Sequence, residues 1–262
     1  MGNQNLTAYG KVMAARSSSR PMGGYYIDRM IDNFIELHGD RRFGDDAAII
    51  GGIGYLNERP VTVIAMERGE TIEERMRRNF GCPTPEGYRK ALRLMKEAEK
   101  FNRPIVCFIG SSGAYCGIDA EKRGQGEAIA ENLFEMMGLK TPIVSVIVGE
   151  GGSGGALALA VCDTAIMLEN SVYSVISPEG CASILWKDSQ KASDAADALK
   201  LTSYDLYGFD VIEKIVDEKD RTKEEICSDL KAIIIKEIEE KSKLSMEELL
   251  SRRYEKFRKI GA

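Results

Sequence analysis

The 262-residue sequence contains a single histidine, His38, and none of its six cysteines stands in a C-x-x-C pair. Because a structural zinc site takes four Cys or His ligands at regular spacing, no metal site is expected. The N-terminus also lacks the apolar segment of a secretory signal. Scattered cysteines without such a signal are typical of free thiols in a reducing compartment, so we expect a cytoplasmic protein.

Two further absences exclude classes of partner. The longest apolar run, residues 156–162, is far shorter than the roughly 20 residues that span a bilayer. The net charge is −5, from 36 basic and 41 acidic side chains, so a general nucleic-acid binder is not indicated. We expect neither a membrane nor a nucleic acid as partner. A hydrophobic content of 44% is sufficient for a globular core.

Glycine, by contrast, is abundant in one segment. That segment lies between a run of apolar, β-branched residues and an Ala/Leu-rich stretch that favours a helix. The segment Val144–Ala160 has glycines at positions 149, 151, 152, 154 and 155. Glycine lets the backbone approach a ligand closely and adopt dihedral angles that other residues avoid. The free N–H groups at the start of the following helix favour negative charge. The segment therefore predicts a turn that binds an anion.

Three motifs overlap in this turn, and each predicts a different chemistry. The pattern G-x-G-x-x-G over residues 149–154 matches a dinucleotide fingerprint, with Glu169 about 20 residues further on as a ribose-binding acid. The pattern G-x-S-x-G over residues 151–155 matches the nucleophile elbow of serine hydrolases. The third interpretation is an oxyanion hole, in which two amides bind the oxygen of a developing enolate.

The hydrolase interpretation lacks a base, because His38 precedes Ser153 and that fold places its histidine after the serine. A dinucleotide fingerprint normally opens the first βαβ unit, whereas long α/β-like sequence precedes this one; it stays open as the less favoured alternative. A second glycine turn, residues 110–117, directly follows an apolar strand. Two such turns could each supply one amide to a shared anion, which favours enolate stabilisation.

Hydrophobic periodicity and capping signals predict a mixed α/β protein. The predicted strands are residues 47–55 and 61–66, joined as a hairpin, and then 104–109, 142–148, 164–168 and 172–176. The predicted helices are residues 25–37 and 119–137, with others beginning at Pro85, at Pro178 and after the caps Thr222 and Ser245. Residues 1–24 are expected to be loosely ordered. The aliphatic stripe of the Thr222 helix could pack on its own domain or on a partner.

Longer motifs carry a resemblance to a known family. They are Arg77–Gly81, Pro85–Met95, Arg123–Gln125, Glu127–Ala130, Gly149–Ala158, and Tyr173–Gly180 followed by Ile184–Trp186. Together they resemble the carboxyltransferase alpha subunits of bacterial acetyl-CoA carboxylases, from about Tyr25 to Lys256.

The resemblance implies an α/β fold of the ClpP/crotonase type, a ββα superhelix with C-terminal helices. The implied domains are an N-terminal extension (1–24), a crotonase-like carboxyltransferase domain (25–218) and a C-terminal helical segment (219–262). It implies an enzyme that transfers a carboxyl group from carboxybiotin, held on a biotin carboxyl carrier protein, to acetyl-CoA, giving malonyl-CoA for fatty acid biosynthesis. The implied partner is a beta subunit that carries a zinc ribbon, in an α2β2 assembly. The resemblance implies no metal in this chain.

Matching to the family motifs also implies site residues. The candidate catalytic amide donors are Gly113, Ala114, Gly154 and Gly155. The candidate biotin-binding residues are Tyr115, Gly151, Gly152 and Ser153. Alternatives remain for several of them: Gly154 and Gly155 could only allow close helix–strand packing, and Tyr115 could fill a gap in the core.

The chain also departs from the family pattern. Residues 110–112 read Gly-Ser-Ser where the family has an Asp-Thr opening, Cys116 replaces a proline, and residues 67–70 read Glu-Arg-Gly-Glu in place of Gln-Lys-Gly-Arg. Two alternatives therefore stay open: a divergent biotin-dependent carboxylase or decarboxylase for another acyl-CoA, and a non-catalytic scaffold paralogue. Six basic residues could bind CoA phosphates or a partner, or form a solvated helix face: Arg75, Arg77, Arg78, Arg89, Arg93 and Lys96.

Overall fold

The structure, a computed structural model, describes residues 6–261 and contains an eight-stranded mixed sheet. The strands are β1 (Asp32–Glu36), β2 (Ile49–Leu56), β3 (Arg59–Met66), β4 (Ile105–Ser111), β5 (Ile143–Gly152), β6 (Thr164–Leu168), β7 (Val172–Ser174) and β8 (Lys214–Val216). The helices are α1 (Ala8–Arg16), α2 (Gly23–Met30), α3 (Ile72–Arg77), α4 (Pro85–Lys100), α5 (Ile118–Lys122), α6 (Gln125–Gly138), α7 (Ser153–Leu157), α8 (Pro178–Trp186), α9 (Ala192–Leu199), α10 (Ser203–Gly208), α11 (Lys223–Lys241) and α12 (Met246–Lys259). Two short 3₁₀ turns lie at Asn79–Gly81 and Ser189–Lys191.

Neighbouring strands follow chain order, β1-β2-β3-β4-β5-β6-β8, with β7 paired to the end of β5. The pairs β1–β2 and β2–β3 are antiparallel, and all later pairs are parallel. Parallel crossovers are right-handed, so a sheet that grows in one direction winds the chain into a superhelix with its crossover helices on one face. A doubly wound sheet instead reverses at a switch point, where it binds dinucleotides. The observed order has no such reversal among the described strands.

Alternating side chains of the parallel strands build a hydrophobic layer on each face of the sheet. On one face, Cys107 and Ile109 of β4 belong to the same buried cluster as Tyr88 of α4. On the other face, the Phe108 ring stacks on Tyr26 of α2 with centroids 5.3 Å apart. The second cluster also contains the aliphatic stripe of α11, formed by Ile226, Leu230, Ile234 and Ile238. That stripe therefore packs on its own domain.

Most predicted elements are confirmed, and several boundaries are wrong. The strand predicted for residues 142–148 continues to Gly152, and the strand predicted for residues 172–176 ends at Ser174. The helix predicted for residues 25–37 ends at Met30, and the chain continues as β1, which pairs with the edge strand β2. The helix predicted for residues 119–137 is two helices, because Gly124 between them has a left-handed φ of 83°. The β2–β3 hairpin has its predicted place and turns through Asn57 and Glu58, both with positive φ.

The prediction of loose order for residues 1–24 is wrong for the described part of that segment. Helix α1 buries Val12 and Ala15, and the Lys11 Nζ donates a hydrogen bond of 2.9 Å to the Glu169 carbonyl. The hydrogen bond from Lys11 joins residues 158 positions apart, so no local sequence pattern could predict it. Residues 1–5 lie outside the described range, and the domain boundaries at 24/25 and 218/219 stay predictions.

The acidic loop after β1 is built by turn chemistry. The Asp40 carboxylate accepts hydrogen bonds from the backbone amides of Arg42, Phe43 and Gly44 and from the Arg89 guanidinium. Burial alone would raise the pKa of Asp40, but these donors lower it to about 2. Residues 6–261 contain no cluster of His, Cys, Asp or Glu able to hold a metal ion. In the same range no helix combines the length and apolar character of a membrane span.

The C-terminal helices begin at their predicted N-caps, although only Thr222 forms the full capping box that was predicted for both, and α12 is then anchored to the rest of the fold. The Thr222 and Ser245 side chains accept from the amides of Glu225 and Glu248. Arg253 of α12 is 1% exposed and forms an ion pair of 2.8 Å with Asp163, which precedes β6. It also donates to the carbonyl groups of Met136, Leu139 and Thr141.

Candidate functional site

The two glycine turns predicted from the sequence lie side by side at one edge of the sheet. They lie at the carboxyl ends of β4 and β5, which are parallel neighbours, and the register pairs Ser111 with Gly151. β5 continues to Gly152, so the first glycines of the second turn belong to the strand itself. A Cβ placed on Gly152 would lie 2.1 Å from the Ser112 carbonyl oxygen, and one placed on Gly155 would lie 2.5 Å from the Ala114 nitrogen. The two turns are therefore in direct backbone contact.

The glycines of these turns fall into two groups. Gly152 and Gly155 have the opposite turn where a side chain would be, so they allow close packing. Gly154 differs, because the nearest atom to its ideal Cβ is Ile129 Cγ2 at an ordinary 3.6 Å. Gly113 has nothing within 4 Å of its ideal Cβ and a φ of 149°, which favours glycine. Close packing thus explains why position 155 is a glycine, as the alternative interpretation proposed. It does not explain why position 154 is a glycine.

Not every predicted amide donor is available. The Gly113 amide already donates to Ser111 Oγ at 3.1 Å, and that hydroxyl donates back to the Gly113 carbonyl at 2.8 Å. The Ala114 amide makes no hydrogen bond to any residue between 6 and 261. On the second turn, Gly154 and Gly155 lie in the first turn of α7, where N–H groups have no intrahelical acceptor. The free donors are therefore at Ala114 and at the start of α7.

Ser153, at the junction of β5 and α7, has an unusual backbone. Its φ is +55°, a left-handed conformation that costs a non-glycine residue about 1–2 kcal/mol. Strain of this kind concentrates at functional sites. The Ser153 hydroxyl has no hydrogen-bond partner in the described chain, and His38 lies in the loop after β1, with its Nδ1 3.0 Å from Asp45. No base activates this serine, so the hydrolase interpretation has no structural support.

Two further alternatives from the sequence concern Tyr115 as a core-filling residue and Glu169 as a ribose-binding acid. Tyr115 is 40% exposed and lies against Gly117, so it does not fill a core gap. Glu169, the acid of the dinucleotide interpretation, accepts from the Glu218 amide and from the Tyr204 hydroxyl. It is therefore a structural residue in the turn between β6 and β7.

Sequence reasoning missed one polar group in the site. Tyr88 of α4 is fully buried, and its hydroxyl has no hydrogen-bond partner among the described residues. That hydroxyl lies 2.9 Å from the ideal Cβ position of Gly155. Burial raises the Tyr88 pKa, so the group stays neutral and can donate or accept a hydrogen bond. In the sequence Tyr88 belonged to an apolar helix stripe, which gave no sign that its hydroxyl reaches the glycine turns.

Comparisons with known proteins agree with this geometry. A family model described as "Acetyl co-enzyme A carboxylase carboxyltransferase-like" matches residues 2–261. An acetyl-coenzyme A carboxylase carboxyl transferase subunit alpha from Ruminiclostridium cellulolyticum is 57% identical over 98% of this chain and 98% of its own length. The protein of the same name from Clostridium acetobutylicum is 55% identical over 99% of this chain and 96% of its own. In Clostridium tetani, a relative named "subunits beta/alpha" is 56% identical over 98% of this chain, which spans 45% of that protein.

Solved structures share the fold at low sequence identity. A transcarboxylase 12S structure superposes with a TM-score of 0.72 at 16% identity, over 93% of this chain and 47% of its own. A Pseudomonas malonate decarboxylase hetero-dimer gives 0.63 at 14% identity, over 76% and 83%. The crotonase-like fold expected from the sequence is confirmed. This chain belongs to the family of acetyl-CoA carboxylase carboxyltransferase alpha subunits.

Proposed function

We propose that this chain, together with a beta subunit, transfers the carboxyl group of carboxybiotin to acetyl-CoA and so forms malonyl-CoA for fatty acid biosynthesis. The observation that carries this proposal is the contact of two glycine turns, each with a free amide beside a glycine whose Cβ position meets no backbone atom. Carboxybiotin, delivered by its carrier protein, would supply the carboxyl group when bound. The location implied by this role is the cytoplasm.

In this proposal the chain stabilises charge through its backbone. The amides of Ala114 and Gly154 donate to an oxygen that becomes negative during transfer, and fixed donors of this kind need no reorganisation. Gly155 and Gly152 keep the two turns in contact, because any side chain there would separate them. The mechanism needs no titrating side chain, which is consistent with a chain that has one histidine.

The residues proposed for biotin suit a small neutral ring. The exposed Tyr115 ring offers an aromatic surface beside the first turn, and Gly113 leaves open space next to it. Gly151–Ser153 contribute backbone rather than side chains, apart from the unpaired Ser153 hydroxyl. These residues would hold the ring and exclude water from the transferred group.

Gly154→Leu is expected to abolish carboxyl transfer while the chain stays folded. The Cβ is tolerated at this position, but the remaining side chain would fill part of the cavity that Ser153 and Gly154 line, beside the amide donors. The backbone amide remains in the variant, but the leucine side chain blocks access to it, and losing the contribution of one such donor costs roughly 10²–10³-fold in turnover. Malonyl-CoA formation by the alpha–beta complex measures the effect, and thermal unfolding measures the fold.

Gly126→Leu is the matched control, because Gly126 is an exposed helical glycine with nothing within 4 Å of its ideal Cβ. It should retain turnover. Full turnover by Gly154→Leu with a verified partner would refute the oxyanion role. Wild-type turnover only with a longer or dicarboxylic acyl-CoA would favour the divergent carboxylase, and partner binding without any turnover would favour the scaffold.

The proposed beta subunit would cover two apolar features, the exposed end of α8 and a cavity that begins at the second glycine turn, in an α2β2 assembly. Ile184 and Leu185 at the end of α8 are 70% and 63% exposed, and Trp186 follows them. A cavity of about 450 Å³ with apolar walls begins at Gly154 and extends past Tyr173 to Val175. Relatives that carry beta and alpha subunits on one polypeptide support a direct contact between the two.

Leu185→Asp is expected to weaken association with the beta subunit by about 30-fold or more, the effect of losing an interface hot spot. The exposed side chain makes the fold insensitive to this change. Phe101→Asp is the control, because Phe101 is equally exposed but precedes β4, at the sheet edge away from the glycine turns. Titration calorimetry with the purified beta subunit measures both variants. Equal affinities for the two would place the interface elsewhere.

A further inference from the structure

A pocket of about 210 Å³ lies beside the first glycine turn. Gly110 and Ser111 of β4 and the following Ser112 form one wall, and Phe80 stands at its side. Glu150 of β5 also lines the pocket. Three arginines from separate segments of the chain complete it: Arg16, Arg68 and Arg75. We call this the arginine pocket. None of these arginines belongs to the glycine turns.

Only one of the three arginines is neutralised. Arg16 forms ion pairs of 2.7 Å with Glu150 and 2.8 Å with Glu179. Arg68 and Arg75 have no carboxylate within 4.0 Å anywhere in residues 6–261. Burial, and then the like charge of Arg75, lower the pKa of Arg68. Glu150, which also lines the pocket, is paired with Arg16, so the three arginines face a single lining carboxylate. The surplus of positive charge creates a site for an anion.

Hydrogen bonding leaves donors free in this pocket. The Arg68 guanidinium is anchored, because its Nη atoms donate to the carbonyl groups of Arg16 and Ser17. Arg75 uses only its Nε, which donates to the Gly69 carbonyl at 3.3 Å. Neither Arg75 Nη atom has a partner in the described chain. A guanidinium with both Nη groups free matches a carboxylate or phosphate through two parallel hydrogen bonds.

The backbone of Asn79 and Phe80, on the aromatic side of the pocket, has an energetically unfavourable conformation. Asn79 and Phe80 have left-handed φ values of 48° and 55°, and Phe80 is 57% exposed. Non-glycine residues keep such conformations only where the surroundings enforce them, and they concentrate at ligand sites. An apolar ring beside two arginines lowers the local dielectric and strengthens their attraction for an anion.

We propose that the arginine pocket binds a small oxyanion, and that this oxyanion is the carboxylate transferred in the reaction proposed above. The identity of the anion rests on that proposed function, whereas binding rests on the pocket alone. Ser112 joins the two sites, because it lines the pocket and its carbonyl contacts the second glycine turn. A carboxylate held by Arg75 would therefore lie next to the amides of the glycine turns.

The test measures binding of malonate and of inorganic phosphate to the full chain by titration calorimetry. Arg75→Gln is expected to weaken malonate binding about tenfold or more, since it removes a charge-assisted bidentate contact. Arg77→Gln is the matched control, because Arg77 is in the same helix, is exposed and does not line the pocket. It should change the affinity about twofold at most, through long-range charge alone.

The outcomes separate this proposal from the proposed function. Equal malonate affinity for Arg75→Gln and the wild type overturns the pocket, even if the alpha–beta complex makes malonyl-CoA. Tighter binding of phosphate than of malonate overturns the carboxylate assignment and indicates a phosphate ester instead. Arg75-dependent malonate binding in a chain that makes no malonyl-CoA with its partner supports the pocket and contradicts the function. Arg75→Gln loses one backbone hydrogen bond, so its unfolding midpoint should match that of Arg77→Gln.

Discussion

Gly152→Ala is expected to destabilise the fold by about 3 kcal/mol or more, the upper range for overpacking a well-packed site. The added Cβ would lie 2.1 Å from the Ser112 carbonyl oxygen and 2.4 Å from its carbon. Both are backbone atoms of the residue that follows β4, so no side-chain rotation relieves the clash. The two turns would have to separate, and their strands with them. Urea unfolding of the purified chain measures the change.

Gly154→Ala is the matched control, two residues away in the same turn. Its Cβ meets only Ile129 Cγ2 at 3.6 Å, and alanine is favoured over glycine in a helix by about 1 kcal/mol. Its stability should equal or exceed that of the wild type. If Gly152→Ala unfolds at the same urea concentration as Gly154→Ala, the direct contact between the turns is wrong, and the proposed oxyanion site with it.

Arg253→Met is expected to cost about 3–5 kcal/mol, because it leaves the buried Asp163 carboxylate without its cation. The Arg253 guanidinium contacts both Asp163 oxygens, at 2.9 and 2.8 Å. It also satisfies three carbonyl groups between Met136 and Thr141, which join α6 to β5. Methionine fills much of the same volume. The lost free energy of unfolding would therefore reflect the missing charge and hydrogen bonds more than lost packing.

Arg252→Met provides the comparison, since Arg252 is the adjacent residue and pairs with Glu248 at the surface of α12. Exposed pairs of this kind contribute about 0.3–0.5 kcal/mol. Chemical denaturation of both variants should separate them clearly. A cost for Arg253→Met no larger than that for Arg252→Met would mean that α12 is not fastened to the sheet through this side chain.

The family and the fold class could be predicted from the sequence because their signals are local. Pro85 at the first helical position and the Thr222 cap mark helix starts, and the apolar runs around residues 105–109 and 143–148 mark buried strands. Those capping and periodicity signals act within a few residues, so they survive without tertiary context. The same locality explains the wrong boundary at Met30, where pairing with β2 replaced helical spacing by a strand.

Within the site, the sequence alone marked two glycine turns, whereas only the tertiary structure assigned different positions to their glycines. Gly152, Gly154 and Gly155 are chemically identical in the sequence, yet two face the backbone of the opposite turn and one faces only the Ile129 side chain, at an ordinary contact distance. The arginine pocket likewise combines Arg16, Arg68 and Arg75 from three segments that no spacing rule connects. Such groups are defined by distances between residues far apart in the chain. Those distances exist only after the parallel strands have paired and brought their carboxyl ends to one edge of the sheet.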